Sequence, residues 1–289
     1  MDNSIIFKFR FFCHSSLRVG WFLAWRHIKR SSKWTTLLII FVMVLTFLNL
    51  VFISGILSGL VEGSSIAYRS QYSGDLILSN YESKNYINNS SAVIKTLASF
   101  PEVLAYTPRI LSGAIVEANY ANKERFNDNP DSLSATLVGI DPDAENKVTG
   151  LARLVVAGEY LSASDQNQVL VGSNLLSEYS RNIPGDETLE NVNVGDTIRV
   201  RLNDVIKELK VKGVVESKIG EVGQRIYMTD RFLAQLIERP SSNVNEIAVI
   251  LKSGIDPDHI KRDLVRVQIC DCAKIETWEE SQGQFFKDI

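Results

Sequence analysis

WTTLLIIFVMVLTFLNLVFISGILSGLV, residues 34–61, carries no ionisable side chain. A bilayer core of about 30 Å takes about 20 apolar residues as a helix, so the run spans it with a turn or two to spare, and the excess projects beyond the headgroups as a stalk. Arg26, Lys29, Arg30 and Lys33 stand before the run and Glu62 after it. By the positive-inside rule this puts the N-terminus in the cytoplasm and the remainder outside, with Trp34 at the level of an interfacial aromatic anchor. A cleaved signal peptide has an apolar core of about 7–15 residues behind a short basic leader; here leader and core are both too long.

Charge supports the same polarity. Before Trp34 stand Lys8, Arg10, Arg18, Arg26, Lys29, Arg30 and Lys33 against Asp2, a net +6, whereas the other 24 bases face 33 acids, a net −9. A basic foot under a translocated acidic body fits the split, and an acidic body offers no clustered positive charge for nucleic acid. In the foot, Leu17, Trp21, Ala24, Trp25 and Ile28 recur at helical spacing, with Arg18, Arg26, Lys29 and Arg30 mostly opposite and Phe22 interrupting the polar face. The pattern predicts a basic amphipathic helix on the inner membrane surface, capped by Ser15 or Ser16. The alternative is a disordered basic leader. Within the span, Gly55, Gly59 and Gly63 repeat every fourth residue beside Ser54 and Ser58, a ridge that lets a second helix approach, and Asn49 adds an amide for bonding across helices. The alternative is the general abundance of glycine in membrane helices.

After Gly63 the signals mix α and β. GDLILS (74–79) reads as a strand; Ser90 or Ser91 caps a helix with Val93, Ile94 and Leu97 on one face, Pro101 ends it, and 103–117 is extended with Pro108 at a bend or edge. The order recurs near the other end. EIAVILKS (246–253) is a strand, Asp256-Pro257 an N-cap with proline at the first helical position, Ile260, Leu264 and Val267 a buried face, and 267–278 a further strand. Two β-α-β units share one sheet in a split ferredoxin-like layer, giving an α+β class: a sheet-and-helix lobe from 64–118 and 241–289 and an inserted, mainly-β lobe over 119–240. The insertion has strands at 134–140, 168–172, 196–202 and 209–215, a short helix at 174–179 and another capped by Thr229, with loops at 122–131 and 181–193.

Chemistry is sparse. No phosphate-binding loop, nucleophile elbow, dinucleotide fingerprint or H-E-x-x-H is present. His259 is the one histidine after Trp34, on an exposed helix face, so neither a catalytic triad nor a zinc site is expected. Cys13, Cys270 and Cys272 are too few for a disulfide framework; the latter two, at i and i+2 of a strand, point to one face and read as small buried side chains rather than a strained redox pair. Asp141 with Asp143, and Glu279 with Glu280, read as solvated acids rather than acid/base pairs. No catalytic residue, cofactor or metal follows.

The order of these features resembles the N-terminal half of MacB/FtsX-type ABC transporter permeases, including the lipoprotein-releasing kind. AWRHIKRSSKWTTLL (24–38) and the Gly-containing stalk are similar to that family, as are FPEVLAYTPRI (100–110), LVGIDPD (137–143), GEYLSASDQNQVLVGSNLL (158–176), NVGDTIRVR (193–201), LKVKGVVES (209–217) and RIYMTDRFLAQLI (225–237). The resemblance implies a non-enzymatic permease subunit that pairs as a homo- or heterodimer, takes power from a separate cytoplasmic ABC ATPase, and uses the 34–63 helix as a lever to an extracytoplasmic domain that moves a lipoprotein, peptide or drug. Membrane lipid is the other partner, met by Trp21, Trp25, Arg26, Lys29, Arg30, Lys33 and Trp34; Asn49, Gly55, Gly59 and Gly63 are the helix-packing candidates. The family has three further membrane helices after this domain, and TWEESQGQFFKDI (277–289) is similar to the approach to the next one. The alternative function is a bitopic, membrane-anchored extracytoplasmic binding or sensor protein.

Overall fold

The computed structural model describes residues 19–23, 25–26, 29–30, 32–81, 83–120, 131–180, 187–202, 205–267 and 273–285. Leu17, Arg18, Ala24 and Ile28 of the amphipathic pattern, the Ser15 and Ser16 caps, the three cysteines, residues 122–130 of the first expected loop and 181–186 of the second lie outside them. The chain divides into two compact units, Met1–Val61 and Glu62–Ile289.

In the first unit, the described residues from 19 to 30 are helical, and Trp21 stacks on Trp25 with ring centroids 5.8 Å apart. Helix α1 (Lys33–Tyr68) has 36 residues, a length of about 54 Å at 1.5 Å per residue. Its apolar side chains through Val61 are exposed, the pattern of a helix whose solvent is lipid.

The second unit begins with the last residues of α1, which tighten the chain into a π-helical turn, Arg69–Ser73, closed by Gly74 N–H donating to Arg69 O at 3.0 Å. Strand β1 (Leu76–Ser79), helix α2 (Ser90–Ser99) and strand β2 (Val103–Ala118) follow. At the far end come β9 (Glu246–Leu251), α6 (Pro257–Arg266), β10 (Lys274–Thr277) and α7 (Trp278–Phe285). These strands lie in the order β10-β1-β9-β2 with every neighbour antiparallel, which is the split ferredoxin-like layer expected from the two β-α-β patterns. Val93 and Leu97 of α2 and Ile260 and Leu264 of α6 are buried. Asp256 caps α6, its side chain accepting from Asp258 N–H at 3.1 Å.

Between β2 and β9 lie β3 (Asp131–Ile140), α3 (Pro142–Thr149), β4 (Val155–Gly158), β5 (Gln168–Gly172), β6 (Thr197–Leu202), β7 (Val205–Val215), the short α4 (Gly220–Gly223), β8 (Arg225–Thr229) and α5 (Asp230–Leu236). Their pairing closes on itself: β2 to β3, β3 to β8, β8 to β5, β5 to β7, β7 to β6 and β6 back to β2. Val116, Leu137, Val171, Val200, Val211 and Ile226 are buried inside this six-stranded ring. The long β2 serves both sheets, pairing β9 from Val103 to Arg109 and β3 from Ile110 to Ala118. Pro108 therefore sits on a stretch of β2 whose second edge pairs with none of the described strands, a position where the missing N–H of proline is tolerated.

Several sequence expectations need correction. Asn89, at φ 52, occupies the N-cap of α2, and Ser90 turns its hydroxyl back to Ile87 O instead. Residues 174–179 form no α-helix; a 3₁₀ turn at Ser173–Leu175 gives way to turns and a bridge from Leu176 to Leu189. Thr229 occupies the N-cap position of α5 as expected, but its hydroxyl donates to Asp165 O rather than to the helix. Val267 is 52% exposed rather than buried, and Trp278 starts a helix rather than ending a strand.

Candidate functional site

The π-helical turn ends the stalk helix in a buried charge cluster. Tyr72 is 6% exposed and its ring lies under two guanidinium groups, with Arg109 Cζ 5.4 Å and Arg225 Cζ 4.9 Å from the centroid. Its hydroxyl donates toward Glu221 Oε1 at 3.0 Å and Glu246 Oε1 at 3.2 Å, and accepts from Arg225 at 3.2 Å. Its carbonyl accepts from Arg109 at 2.8 Å. Tyr68 packs edge-on to Tyr72 at 5.2 Å and shares a 2.7 Å hydrogen bond with Ser281 of α7.

Each guanidinium is positioned by a different part of the fold. Arg109 is the residue at which β2 leaves β9 for β3. It forks onto Glu145 of α3, Nε to Oε2 at 3.0 Å and Nη2 to Oε1 at 2.8 Å, and reaches Glu246 at 3.4 Å. Glu145 is completed by the hydroxyls of Thr107 and Thr149, both at 3.0 Å. Arg225, the first residue of β8, pairs with Glu246 at 3.3 Å and with Glu221 of α4. Burial works against the charges of Arg109, Arg225 and Glu246, and their partners win. Glu145 and Glu246 hold Arg109 above the usual arginine value, Glu246 does the same for Arg225, and the two arginines hold the Glu246 carboxyl below 4.5 despite its burial. Among the described residues no buried side-chain N or O lacks a hydrogen-bond partner, the condition under which a buried ionic network is tolerated.

The turn around Tyr72 is fastened on both sides. Arg69 pairs with Asp75, whose other oxygen accepts from Leu251 N–H at 2.7 Å, and Gln71 accepts from Ser217 at 2.7 Å. Gly74 has φ 66 and ψ −151, a region open essentially to glycine alone, and a Cβ there would overlap the Val249 carbonyl. One helical turn thus touches both the ferredoxin-like sheet and the six-stranded ring.

The residues singled out from sequence lie elsewhere. Trp21, Trp25, Arg26, Lys29, Arg30 and Trp34 are exposed, as are Asn49, Gly55 and Gly59, and a Cβ at Gly55, Gly59 or Gly63 would meet no atom within 4 Å. Asp141 is the N-cap of α3, accepting from Asp143 and Ala144 N–H, and Glu280 pairs with Lys261. His259 is exposed and pairs with Asp263. No group of three or more His, Cys, Asp or Glu side chains among the described residues is arranged to hold a metal. Sequence reasoning missed Tyr72, Arg109, Glu145, Arg225 and Glu246; the available signal was a charged residue set at the start or middle of an otherwise apolar strand, as in PRILSG, QRIYMT and NEIAVI.

Residues 35–267 match the family model for the MacB-like periplasmic core domain. The chain belongs to that family. The match bears out the resemblance to MacB/FtsX-type ABC transporter permeases, and a periplasmic core behind an apolar helix agrees with a membrane protein that carries an extracytoplasmic domain. The periplasmic region of MacB from Actinobacillus actinomycetemcomitans has a similar fold, with 16% identity over 74% of this chain and 92% of that one and a TM-score of 0.50. The extracellular domain of the noncanonic ABC-type transporter YknZ from Gram-positive bacteria aligns at 12% identity over 70% of this chain and 98% of that one, with a TM-score of 0.44. No curated protein gives a significant sequence match.

Proposed function

We propose that this MacB-like chain is the permease component of an ABC-type transporter or mechanotransmission complex. A separate cytoplasmic ATPase supplies the power, and α1 carries its motion to the extracytoplasmic domain. The N-terminus is cytoplasmic, the Trp21–Trp25 pair and the basic residues lie against the inner leaflet, and the Gly55–Gly59–Gly63 ridge packs on a second permease helix in a dimer, with Asn49 supplying an amide for bonding across helices. The domain works as two lobes, a porter-like sheet and an inserted ring.

The observation that carries this reading is the unbroken run of α1 into the π-helical turn whose Tyr72 is held by both arginines. A lever needs a firm grip at its far end. Arg109 stands where β2 passes from one sheet to the other, so a rotation of Tyr72 bears on both at once. An anchor that merely tethers a domain has no use for such a junction.

The test is to purify the full chain from its native membranes in mild detergent and look for a stoichiometric P-loop ATPase subunit. Its presence, with ATP hydrolysis that changes on Tyr72→Ala, is expected. Recovery of the chain without any ATPase, under conditions that preserve its fold, contradicts the proposal.

A further inference from the structure

An open cleft of about 1,020 Å³ lies beside the charge cluster. Its floor is the solvent-facing side of β2 and β3, where Gly113 pairs with Thr136 and Ile115 with Ser134. These are small or half-exposed side chains, and a Cβ on Gly113 would meet nothing within 4 Å. Strand β3 pairs with β2 along its whole length but with β8 only from Thr136 to Ile140. Among the described strands, the second edge of residues 131–135 is therefore unpaired where it opens into the cleft. An unpaired edge beside a groove is the setting for strand addition by an extended peptide.

The charges on the walls select the sign of that peptide. Arg201 is committed to Glu117 at 2.5 Å, and Arg225 is 3% exposed and committed to Glu246 and Glu221. Glu187 is exposed and bonds nothing among the described residues, and Glu221 uses Oε1 for both Tyr72 and Arg225, leaving Oε2 without a described partner. The charged acceptors that remain are carboxylates, beside the side-chain amides of Asn174 and Gln224.

We propose that this cleft binds an extended basic segment of another polypeptide, which adds to the 131–135 edge of β3 and places Lys or Arg side chains on Glu187 and Glu221. Glu221 then links the cleft to Tyr72, because a cation at Oε2 competes with the hold that Glu221 has on the stalk. The proposal stands apart from the transporter reading, since it concerns binding by this chain alone.

The test uses the full chain in detergent micelles and fluorescence anisotropy of a labelled pentapeptide, TKVKT, at low ionic strength. TKVKT is expected to bind, TEVET to bind at least about tenfold more weakly, and a TKVKT backbone-methylated at its central amide to lose affinity. Glu187→Gln with Glu221→Gln is expected to weaken TKVKT about tenfold or more, the loss of a charge-assisted hydrogen bond. Gly113→Trp, which fills the floor without replacing a charged residue, is expected to abolish binding while leaving the circular dichroism unchanged, so the test survives if the double variant fails to fold. No binding of TKVKT to the wild-type chain, equal binding of TEVET, or undiminished binding by Gly113→Trp overturns the proposal.

Discussion

Replacing Arg109 by methionine removes the guanidinium that holds the cluster together while keeping most of the side-chain length. Arg109 is 2% exposed and satisfies both oxygens of Glu145, one oxygen of Glu246 and the carbonyl of Tyr72. Its loss leaves Glu145 buried with only two threonine hydroxyls, and leaves Arg225 to balance Glu246 and Glu221 alone. Breaking a buried pair on one side costs about 3–5 kcal/mol because a charge is stranded. For a domain of this size each kcal/mol lowers Tm by about 2–4 °C, so Arg109→Met is expected to lower Tm by about 6–20 °C. Removing both partners is a different perturbation. Arg109→Met with Glu145→Met takes away both charges and is expected to recover most of the loss, since well-packed apolar replacements of buried pairs are often neutral. Thermal unfolding of the full chain in micelles, followed by circular dichroism of the β-rich domain, reads both. A single variant within about 2 °C of wild type, or a double variant as unstable as the single, refutes the reasoning.

Two further outcomes follow from the same junction. The Glu246 carboxyl is held below 4.5 in the folded state, so the stability it contributes is full above that value and is lost as pH falls through its lower folded value; urea midpoints are expected to hold from pH 7 to about 5 and to drop in the acid range, and Glu246→Gln, already destabilised, is expected to lose much of that acid dependence. Gly74→Ala places a side chain in a glycine-only region against the Val249 carbonyl and is expected to cost about 2 kcal/mol or more, measured as a lowered urea midpoint.

What the sequence disclosed and what it concealed divide along locality. The apolar run before Glu62 and the two β-α-β patterns are local signals, and α1, β1, β9 and the capped α6 follow from them. Asp141-Pro142 is the same cap signal as Asp256-Pro257, yet α3 went unread because its eight residues, PDAENKVT, carry little apolar periodicity. The closure of the ring was not legible, because the pairing of β2 with β6 joins Val116 to Val200, a choice made by the folded topology and not by either strand. The cluster was hidden for the same reason. Tyr72 and Glu246 are 174 residues apart and Arg109 and Glu246 are 137 apart, and each charge alone reads as a polar residue within a strand or a short helix. Asn49 stands out in sequence because its neighbours in the 34–61 run are almost uniformly apolar; buried partners give no such contrast.

The most direct measurement is the sidedness of the chain. In a cysteine-free full-length background, Ser32→Cys and Ser241→Cys, at exposed positions before α1 and before β9, are treated with a membrane-impermeant maleimide on protoplasts or spheroplasts. Position 241 is predicted to label at once and position 32 only after lysis; the reverse pattern, equal labelling, or a chain recovered in the aqueous fraction without detergent contradicts a membrane-anchored extracytoplasmic domain.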